Sequence, residues 1–394
     1  MQQHTVLLLK TLSANPMKRS FYVFILSMIV VAFAAQPLLA QDLAKTFDVR
    51  TGGKLKLDLE TGGEIVIKGW SRNQVEVKVD YEGGNAEEVS VDFDQKGNTI
   101  EITSEYVRDR RRNQADVNLE IYIPNTFDLD VSTMGGNVKV SDVKGTLEGT
   151  SMGGEIELDK LEGSVNFTTM GGDISLTASK VDGTLHTMGG DVDIKDVVGN
   201  VKGTTMGGDV TYNNVSNGIG NAATEVVVST MGGDVVVDEA MNGADLHTMG
   251  GDISVNRAAK HVKATTMGGE ITIKAIDGWV EANTMGGDME IHMVGGRDGD
   301  RHVDLESMGG TIEITVPKGL SIDFDIEIRV TRDVKDKDYA IQSDFDVQVK
   351  DDRDTNSRNR HSTIRGTGKV NGGKNKMKIR TTNGNVIIKE SGTN

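Results

Sequence analysis

The residues best placed for chemistry are acidic ones that recur directly after pairs of glycine. Six aspartates share this position and are weak candidate metal ligands: Asp173, Asp191, Asp209, Asp234, Asp252 and Asp288. Stacked on successive parallel strands, their carboxylates would lie about 5 Å apart and attract a cation such as calcium. The same side chains can instead accept hydrogen bonds from the turn backbone. We favour the turn interpretation, because the calcium-binding nonapeptide Gly-Gly-x-Gly-x-Asp does not recur.

Methionine precedes each of these glycine pairs and offers a second kind of ligand. Ten copies of Met-Gly-Gly begin at Met134, Met152, Met170, Met188, Met206, Met231, Met249, Met267, Met285 and Met308. A file of thioethers could bind soft copper, but core packing is the favoured interpretation. His186 and His247 each lie two residues before such a methionine, in repeats that are not adjacent, and we interpret them as exposed variation. We therefore predict no metal site and no cofactor.

Catalytic motifs are absent from the sequence. The chain has no cysteine, no Gly-x-Ser-x-Gly and no His-Glu-x-x-His, so no nucleophile or metal-bound base is indicated. Some β-helix enzymes cleave acidic polysaccharides with basic residues and aromatic platforms. This chain has two tryptophans, Trp70 and Trp279, and a formal net charge of −16, which disfavours a polyanionic substrate. We predict a non-enzyme with no catalytic residues, and keep a polysaccharide lyase or hydrolase as the alternative.

Short strands must position all of these residues. The Met-Gly-Gly copies are spaced by 18 residues almost throughout, and so short a unit cannot bury its own apolar side chains. Within residues 188–205, two β-branched runs alternate with polar residues, and glycine introduces each run. No helical period separates the strands, so the chain must wind directly from one unit to the next. The sequence predicts an all-β fold: a single-chain parallel β-solenoid with coils of about 18 residues and degenerate capping coils at both ends.

The corner Thr-Met-Gly-Gly breaks the alternation of inward and outward side chains. Either threonine points inward and methionine outward, or both are buried. Ten outward methionines would form an apolar stripe, which soluble proteins usually avoid, so we expect at least partial burial of methionine. We also expect Gly189, Gly190 and Gly199 to adopt positive φ in the turns.

Composition divides the chain into four segments. Residues 1–40 are expected to be a secretory signal: a positive start precedes an uncharged apolar run over residues 21–35, and cleavage is expected after Ala40. An uncleaved N-terminal anchor is the alternative. Residues 41–132 are predicted to be an N-terminal degenerate cap, 133–316 the regular solenoid, and 317–394 a C-terminal cap with a charged loop at 351–365. After signal cleavage no membrane span is predicted.

Two steps between Met-Gly-Gly copies exceed 18 residues. The step from Met206 to Met231 is 25 residues and the step from Met285 to Met308 is 23. Insertions in repeat proteins become surface loops, where specificity often resides. The predicted binding residues in these loops are Asn213, Asn214, Asn217 and Asn221 in the first insert and Arg297, Asp298 and Asp300 in the second.

Several segments together resemble a known family. They are Gly-Gly-Glu-Ile-Val-Ile-Lys-Gly-Trp at 62–70, Leu-Glu-Ile-Tyr-Ile-Pro at 119–124, the Thr-x-Gly-Gly-Asp-Val coils and the closing Thr-Asn-Gly-Asn-Val-Ile-Ile. The chain resembles the bacterial putative-adhesin family of exported β-strand-repeat proteins, a domain of unknown function. The resemblance covers the whole chain after the signal and implies an extracytoplasmic location.

These observations predict an exported, non-enzymatic repeat protein that binds a surface, a glycan or another envelope protein. Its location would be the periplasm, the cell surface or the medium. Nucleic acid is excluded as a partner because an acidic chain lacks the basic footprint that such binding needs. A further alternative is a structural or sensory spacer of the envelope.

Overall fold

The computed structural model describes residues 43–83, 89–107, 116–216, 225–297, 299–331, 339–352 and 361–392. The expected signal at 1–40 lies outside these residues, as do Asn217, Asn221 and Asp298. All the described residues after Leu43 belong to one compact unit, Ala44–Asn394. They contain 31 strands and no helix, so the predicted all-β class is confirmed.

The strands are short, as the glycine-bounded runs of the sequence predict. The first eight are β1 (Leu43–Asp48), β2 (Gly53–Leu59), β3 (Ile65–Trp70), β4 (Gln74–Glu82), β5 (Val89–Lys96), β6 (Thr99–Tyr106), β7 (Asp116–Pro124) and β8 (Phe127–Thr133). The repeats contribute β9 (Val138–Ser141), β10 (Lys144–Ser151), β11 (Ile156–Asp159), β12 (Glu162–Thr169), β13 (Ile174–Thr177), β14 (Lys180–Thr187), β15 (Val192–Val198), β16 (Val201–Thr204), β17 (Val210–Ser216), β18 (Val226–Ser229), β19 (Val235–Ala240), β20 (Ala244–His247), β21 (Ile253–Thr265), β22 (Ile271–Thr284), β23 (Met289–Met293), β24 (Val303–Ser307) and β25 (Ile312–Val316). The last six are β26 (Ile322–Thr331), β27 (Ile341–Ser343), β28 (Gln348–Asp351), β29 (His361–Val370), β30 (Asn375–Thr382) and β31 (Val386–Glu390).

Most pairings in the sheet are parallel, and the repeat strands pair in a constant register. Ile156 pairs with Ile174 in one ladder, and Leu147 pairs with Val165 in the other. Both pairs join residues 18 positions apart, so each repeat gives one strand to each ladder. Side chains alternate as the sequence predicts: Val192 and Ile194 of β15 are buried and the residue between them is exposed. Buried Val, Ile and Leu side chains from successive repeats form one apolar core.

The turn from one ladder to the other uses a left-handed backbone conformation. Five residues spaced by 18 adopt it: Asp142, Lys160, Ala178, Asp196 and Asn214 have φ between 47° and 60°. The positive φ expected at Gly199 is present, at 145°. The positive φ expected at Gly189 and Gly190 is not found, so those glycines serve another purpose.

The two ends of the sheet depart from the regular pattern. Antiparallel pairs form near the N-terminus between β4 and β7 and between β5 and β6, and near the C-terminus between β26 and β29 and between β28 and β29. The final strands do not follow β26 outward: β30 and β31 return to pair with β24 and β25.

The predicted charged loop at 351–365 is too long. Asp351 ends β28, and residues 361–365 belong to β29, where they pair with β26. The charges there did not prevent strand formation, because a strand with one exposed face accepts polar residues at every second position.

Candidate functional site

Each Met-Gly-Gly corner places threonine inside and methionine outside. Thr187 is fully buried, whereas Met188 keeps 39% of its surface exposed. The burial that we expected for methionine is therefore wrong, because threonine occupies the interior position. We call the ten corner methionines the methionine file. Their exposed fractions run from 38% to 58%, at Met134, Met152, Met170, Met188, Met206, Met231, Met249, Met267, Met285 and Met308.

The buried threonine hydroxyl joins consecutive corners. Thr187 Oγ1 donates to the carbonyl oxygen of Gly172 in the preceding corner, at 2.8 Å, and accepts from the N–H of Gly190, at 3.3 Å. Thr205 repeats the contact with Gly190 at 2.7 Å. A polar atom inside an apolar core is thus fully satisfied, which explains why threonine or serine recurs before each methionine.

The second glycine of each pair is required by close approach between repeats. A Cβ on Gly190 would lie 2.4 Å from the carbonyl oxygen of Gly172, whereas a Cβ on Gly189 would lie 3.6 Å from the nearest atom. The same stacking extends to both ends, because Gly136 lies against Gly63 and Gly384 against Gly310. Only glycine allows the backbones to meet at this distance.

The six aspartates that follow the glycine pairs bind backbone. Asp173 Oδ1 accepts a hydrogen bond from the N–H of Asp191 in the next corner, at 2.8 Å. Asp191, Asp209, Asp234, Asp252 and Asp288 do the same at 2.7–2.8 Å. Asn137 occupies the equivalent position and accepts from Glu155 at 3.0 Å without carrying a charge. Across the described ranges, no group of three or more histidine or acidic side chains is arranged to hold a metal. This hydrogen bonding is the one that the turn interpretation requires.

The two corner histidines lie on the outer face of the strands that precede their methionines. His186 is partly exposed and faces Thr168 and Thr204 of the adjacent repeats. His247 is exposed, and its Nε2 lies 2.9 Å from Asp245 Oδ1. The structure does not bring the two histidines together, as expected.

The first insert is shorter than predicted. Asn213 and Asn214 belong to β17, which continues in register with β15, rather than to a loop. Both are exposed, and Asn214 Nδ2 donates to Asp196 Oδ1 at 2.6 Å. A small cavity of about 110 Å³ lies beside Asn214 and Met241. Its size suits a water molecule or two better than a ligand.

The second insert is fixed to the sheet by an arginine that the sequence analysis missed. Arg301 is 3% exposed, and its guanidinium lies 2.6 Å from Asp277 Oδ1 of β22. Its Nε donates to the carbonyl oxygen of Gly296 inside the insert, at 3.1 Å. Of the predicted residues, Arg297 and Asp300 are exposed. A fully buried arginine next to an acid could have been suspected from the charged run 297–301, but the sequence does not reveal its direction.

A groove of about 470 Å³ lies beside the second insert. It crosses the outer face of three adjacent strands, β22, β24 and β30, and is lined by Trp279, Val280, Glu281, His302, Val303, Asp304, Lys376 and Lys378. The insert reaches its edge, because Asp300 Oδ1 lies 3.2 Å from Nε2 of His302. The structure thus brings one predicted binding residue, Asp300, to a concave surface.

Trp279 is held in a fixed orientation at this groove. Its ring stacks on His261 of the preceding strand, with the centroids 5.0 Å apart and the planes inclined by 16°. His261 in turn contacts Glu225 at 2.6 Å. Trp279 therefore does not plug a corner, which was one interpretation of its position after glycine. The other tryptophan, Trp70, donates through Nε1 to the carbonyl oxygen of Gln74 and stacks on Tyr122.

Charges of both signs line the groove. Glu281 faces Lys263 on one side and Asp304 on the other in the parallel register. Lys378 Nζ donates to Asp304 Oδ2 at 2.8 Å, and burial raises the pKa of Asp304. The groove therefore offers donors and acceptors beside an aromatic ring, with no strong excess of either charge.

Comparison with known proteins identifies a family. The family model described as Toastrack DUF4097 matches residues 54–315. A solved structure of a putative adhesin from Bacteroides fragilis is 14% identical, with 70% of this chain and 96% of that chain covered and a TM-score of 0.30. A putative cell adhesion protein from Clostridium sporogenes is 11% identical, with 89% and 100% covered and a TM-score of 0.19. No curated protein matches the chain.

A membrane-crossing helix is not found in the part of the chain that the structure describes.

Proposed function

Because the chain belongs to the Toastrack DUF4097 family, we propose that it is an exported, non-enzymatic protein that binds glycans at a surface. The observation that supports this proposal is the groove over β22, β24 and β30, with Trp279 held by His261 at one side. Sugar rings have an apolar C–H face and a polar rim, which match an amphipathic aromatic ring beside hydrogen-bonding groups.

The balance of charge indicates the kind of glycan. Glu281 and Asp304 would accept hydrogen bonds from sugar hydroxyl groups, and Lys376 would donate to ring or hydroxyl oxygens. An acidic polymer would meet both carboxylates and the net charge of the chain, so the ligand is a neutral glycan.

The proposal includes the architecture that presents the groove. Residues 1–40 direct export and are removed, and residues 133–316 wind as a parallel solenoid between the caps 41–132 and 317–394. The register of 18 residues between paired strands supports this winding. The first insert, with Asn213 and Asn214 exposed on β17, is a second proposed contact with the surface.

The test is binding of the purified protein to a glycan array. We expect neutral glycans to bind, Trp279→Ala to abolish that binding, and deletion of residues 295–300 to weaken it. Asn213→Ala serves as the matched control at the first insert and separates the two contacts. If Trp279→Ala binds as the unaltered protein does, the groove is not the site; if no glycan binds, the ligand class is wrong.

A second candidate function is favoured by one observation. Glu281 and Asp304 are neighbours on adjacent strands, and paired carboxylates can cleave glycosidic bonds. We rank this enzyme activity lower, because Asp304 is already bound by Lys378. Incubation with the bound glycans, followed by an assay for new reducing ends, distinguishes the two functions: binding without cleavage supports the first.

A further inference from the structure

The methionine file has a property that glycan binding does not use. It sets ten thioethers on the outside of the protein, one from each consecutive repeat, with at least 38% of each side chain exposed. The corners stack directly: the N–H of Met267 donates to the carbonyl oxygen of Met249 at 3.3 Å. Neighbouring methionines are thus one strand spacing apart, about 4.8 Å.

We propose that the methionine file binds monovalent soft metal ions, Cu(I) or Ag(I), between thioethers of consecutive repeats. Thioether sulfur is a soft donor that selects Cu(I) over the hard cations that carboxylates prefer. Methionine has three rotatable side-chain bonds, so two sulfurs whose backbones are one strand apart can converge on a single ion.

The surroundings of the file favour this chemistry over other uses of the corner. Each methionine is followed by two glycines, which carry no side chain, and is preceded by a buried threonine or serine. The aspartates of the corner are occupied by backbone N–H groups. Sulfur is therefore the ligand that the corner leaves accessible.

Two histidines supply a second, independent donor. His186 and His247 lie on the outer face, two residues before Met188 and Met249. Positions two apart on a strand point to the same side, so each imidazole lies beside a thioether. Imidazole also binds copper, and the mixed site at His186 would involve Met188 with a methionine of an adjacent repeat.

The proposal is tested by titrating the protein with Ag(I), and with Cu(I) under anaerobic conditions, in chloride-free buffer. Native mass spectrometry gives the number of ions bound, and NMR of methyl-labelled methionine gives their location. We expect several ions per chain and shifted methyl signals from the file. The signals of the buried Met289 and Met293 should not shift.

The decisive variant replaces Met170, Met188 and Met206 together by leucine, which conserves volume. We expect it to bind fewer ions, with affinity at the remaining His186 site reduced at least about tenfold. Met241→Leu is the matched control, because Met241 is 51% exposed but lies outside the file. Circular dichroism establishes that both variants fold. Equal ion numbers in the triple variant and the control would overturn the proposal, as would binding without any shift of the file methyl groups.

Discussion

Thr205 donates a hydrogen bond through Oγ1 to the carbonyl oxygen of Gly190, 2.7 Å away in the preceding corner. The hydroxyl also accepts from the N–H groups of Gly207 and Gly208. One buried hydroxyl therefore ties two repeats together at the place where the chain turns, where no strand pairing is available to do so.

Replacing this hydroxyl by a methyl group should weaken the corner. Thr205→Val keeps the shape but leaves the Gly190 carbonyl and the turn N–H groups unpaired, so we expect a loss of about 1–3 kcal/mol in the free energy of unfolding. Urea unfolding followed by circular dichroism measures it. Thr205→Ser is the control and should retain most of the stability, because Ser307 makes the equivalent bond to Gly287. Equal losses in the two variants would show that packing, not hydrogen bonding, matters here.

The two glycines of one corner should respond differently to a methyl group. Gly190→Ala would bring Cβ to 2.4 Å from a backbone oxygen, which overpacks the contact, and we expect it to cost about 1–3 kcal/mol or more. Gly189→Ala finds its nearest neighbour at 3.6 Å and should change stability by less than about 0.5 kcal/mol. Thermal unfolding of the two variants in parallel tests the asymmetry, and similar melting temperatures would contradict it.

The role of the aspartates can be separated from metal binding at one position. Asp191→Asn keeps the acceptor for the N–H of Asp209 and removes one charge from a column of like charges, so stability should be unchanged or higher at low salt. Asp191→Ala removes the acceptor and should cost about 1 kcal/mol. Urea unfolding with and without calcium is the measurement. Stabilisation of the unaltered protein by calcium, lost in the asparagine variant, would instead establish a metal site.

Glu120 should contribute to acid sensitivity near the N-terminal end. The Tyr122 hydroxyl and the Lys78 ammonium group lower the pKa of Glu120 from 4.5 to about 2. A carboxylate whose pKa is lowered by folding stabilises the protein above its unfolded pKa, and this contribution is lost as the pH falls from 4.5 to about 2. Glu120→Gln should therefore be less stable than the unaltered protein at neutral pH, with the difference shrinking over that range.

Unfolding of the Glu120 variant at a series of pH values tests this expectation. Glu148→Gln, at an exposed position of β10, is the control for removing one negative charge. A difference that stays constant from neutral pH to pH 2 would refute the linkage to Glu120.

Much of the fold follows from local patterns in the sequence. The alternation around Val192 and Ile194 predicted which side chains are buried, and the 18-residue spacing predicted which residues pair. The return of β30 to β24 was not predictable in this way, because it joins Val303 to Met377 across 74 positions with no repeated motif between them. Long-range pairing of this kind is decided by the whole structure rather than by local preference.

The errors at the corner have a common physical cause. Parity alone could not decide whether threonine or methionine points inward, because the answer depends on the hydrogen bond between Thr187 and Gly172 of another repeat. The glycine pair was expected to serve the turn, but it serves contact between repeats. Asn213 and Asn214 were placed in a loop because asparagine favours turns, yet β17 gains enough from pairing with β15 to continue through them.

The groove was also invisible to sequence reasoning. Trp279, His302 and Lys376 come from three strands separated by insertions, and only the register places them side by side. The second insert was nevertheless correctly located as an interruption of the spacing. Its buried Arg301 could not be distinguished from the exposed Arg297 by residue type alone.

The constant register of the middle strands bears on how such a gene changes over generations. Excising residues 152–169 would leave Gly136 facing Gly172 and Val140 facing Leu176, each with a partner of the same type as before. Unequal crossing-over between near-identical DNA segments can thus lengthen or shorten the protein by whole turns while both ends keep their own neighbours. Reach, rather than chemistry, is the trait that drifts most easily in a lineage that carries this chain.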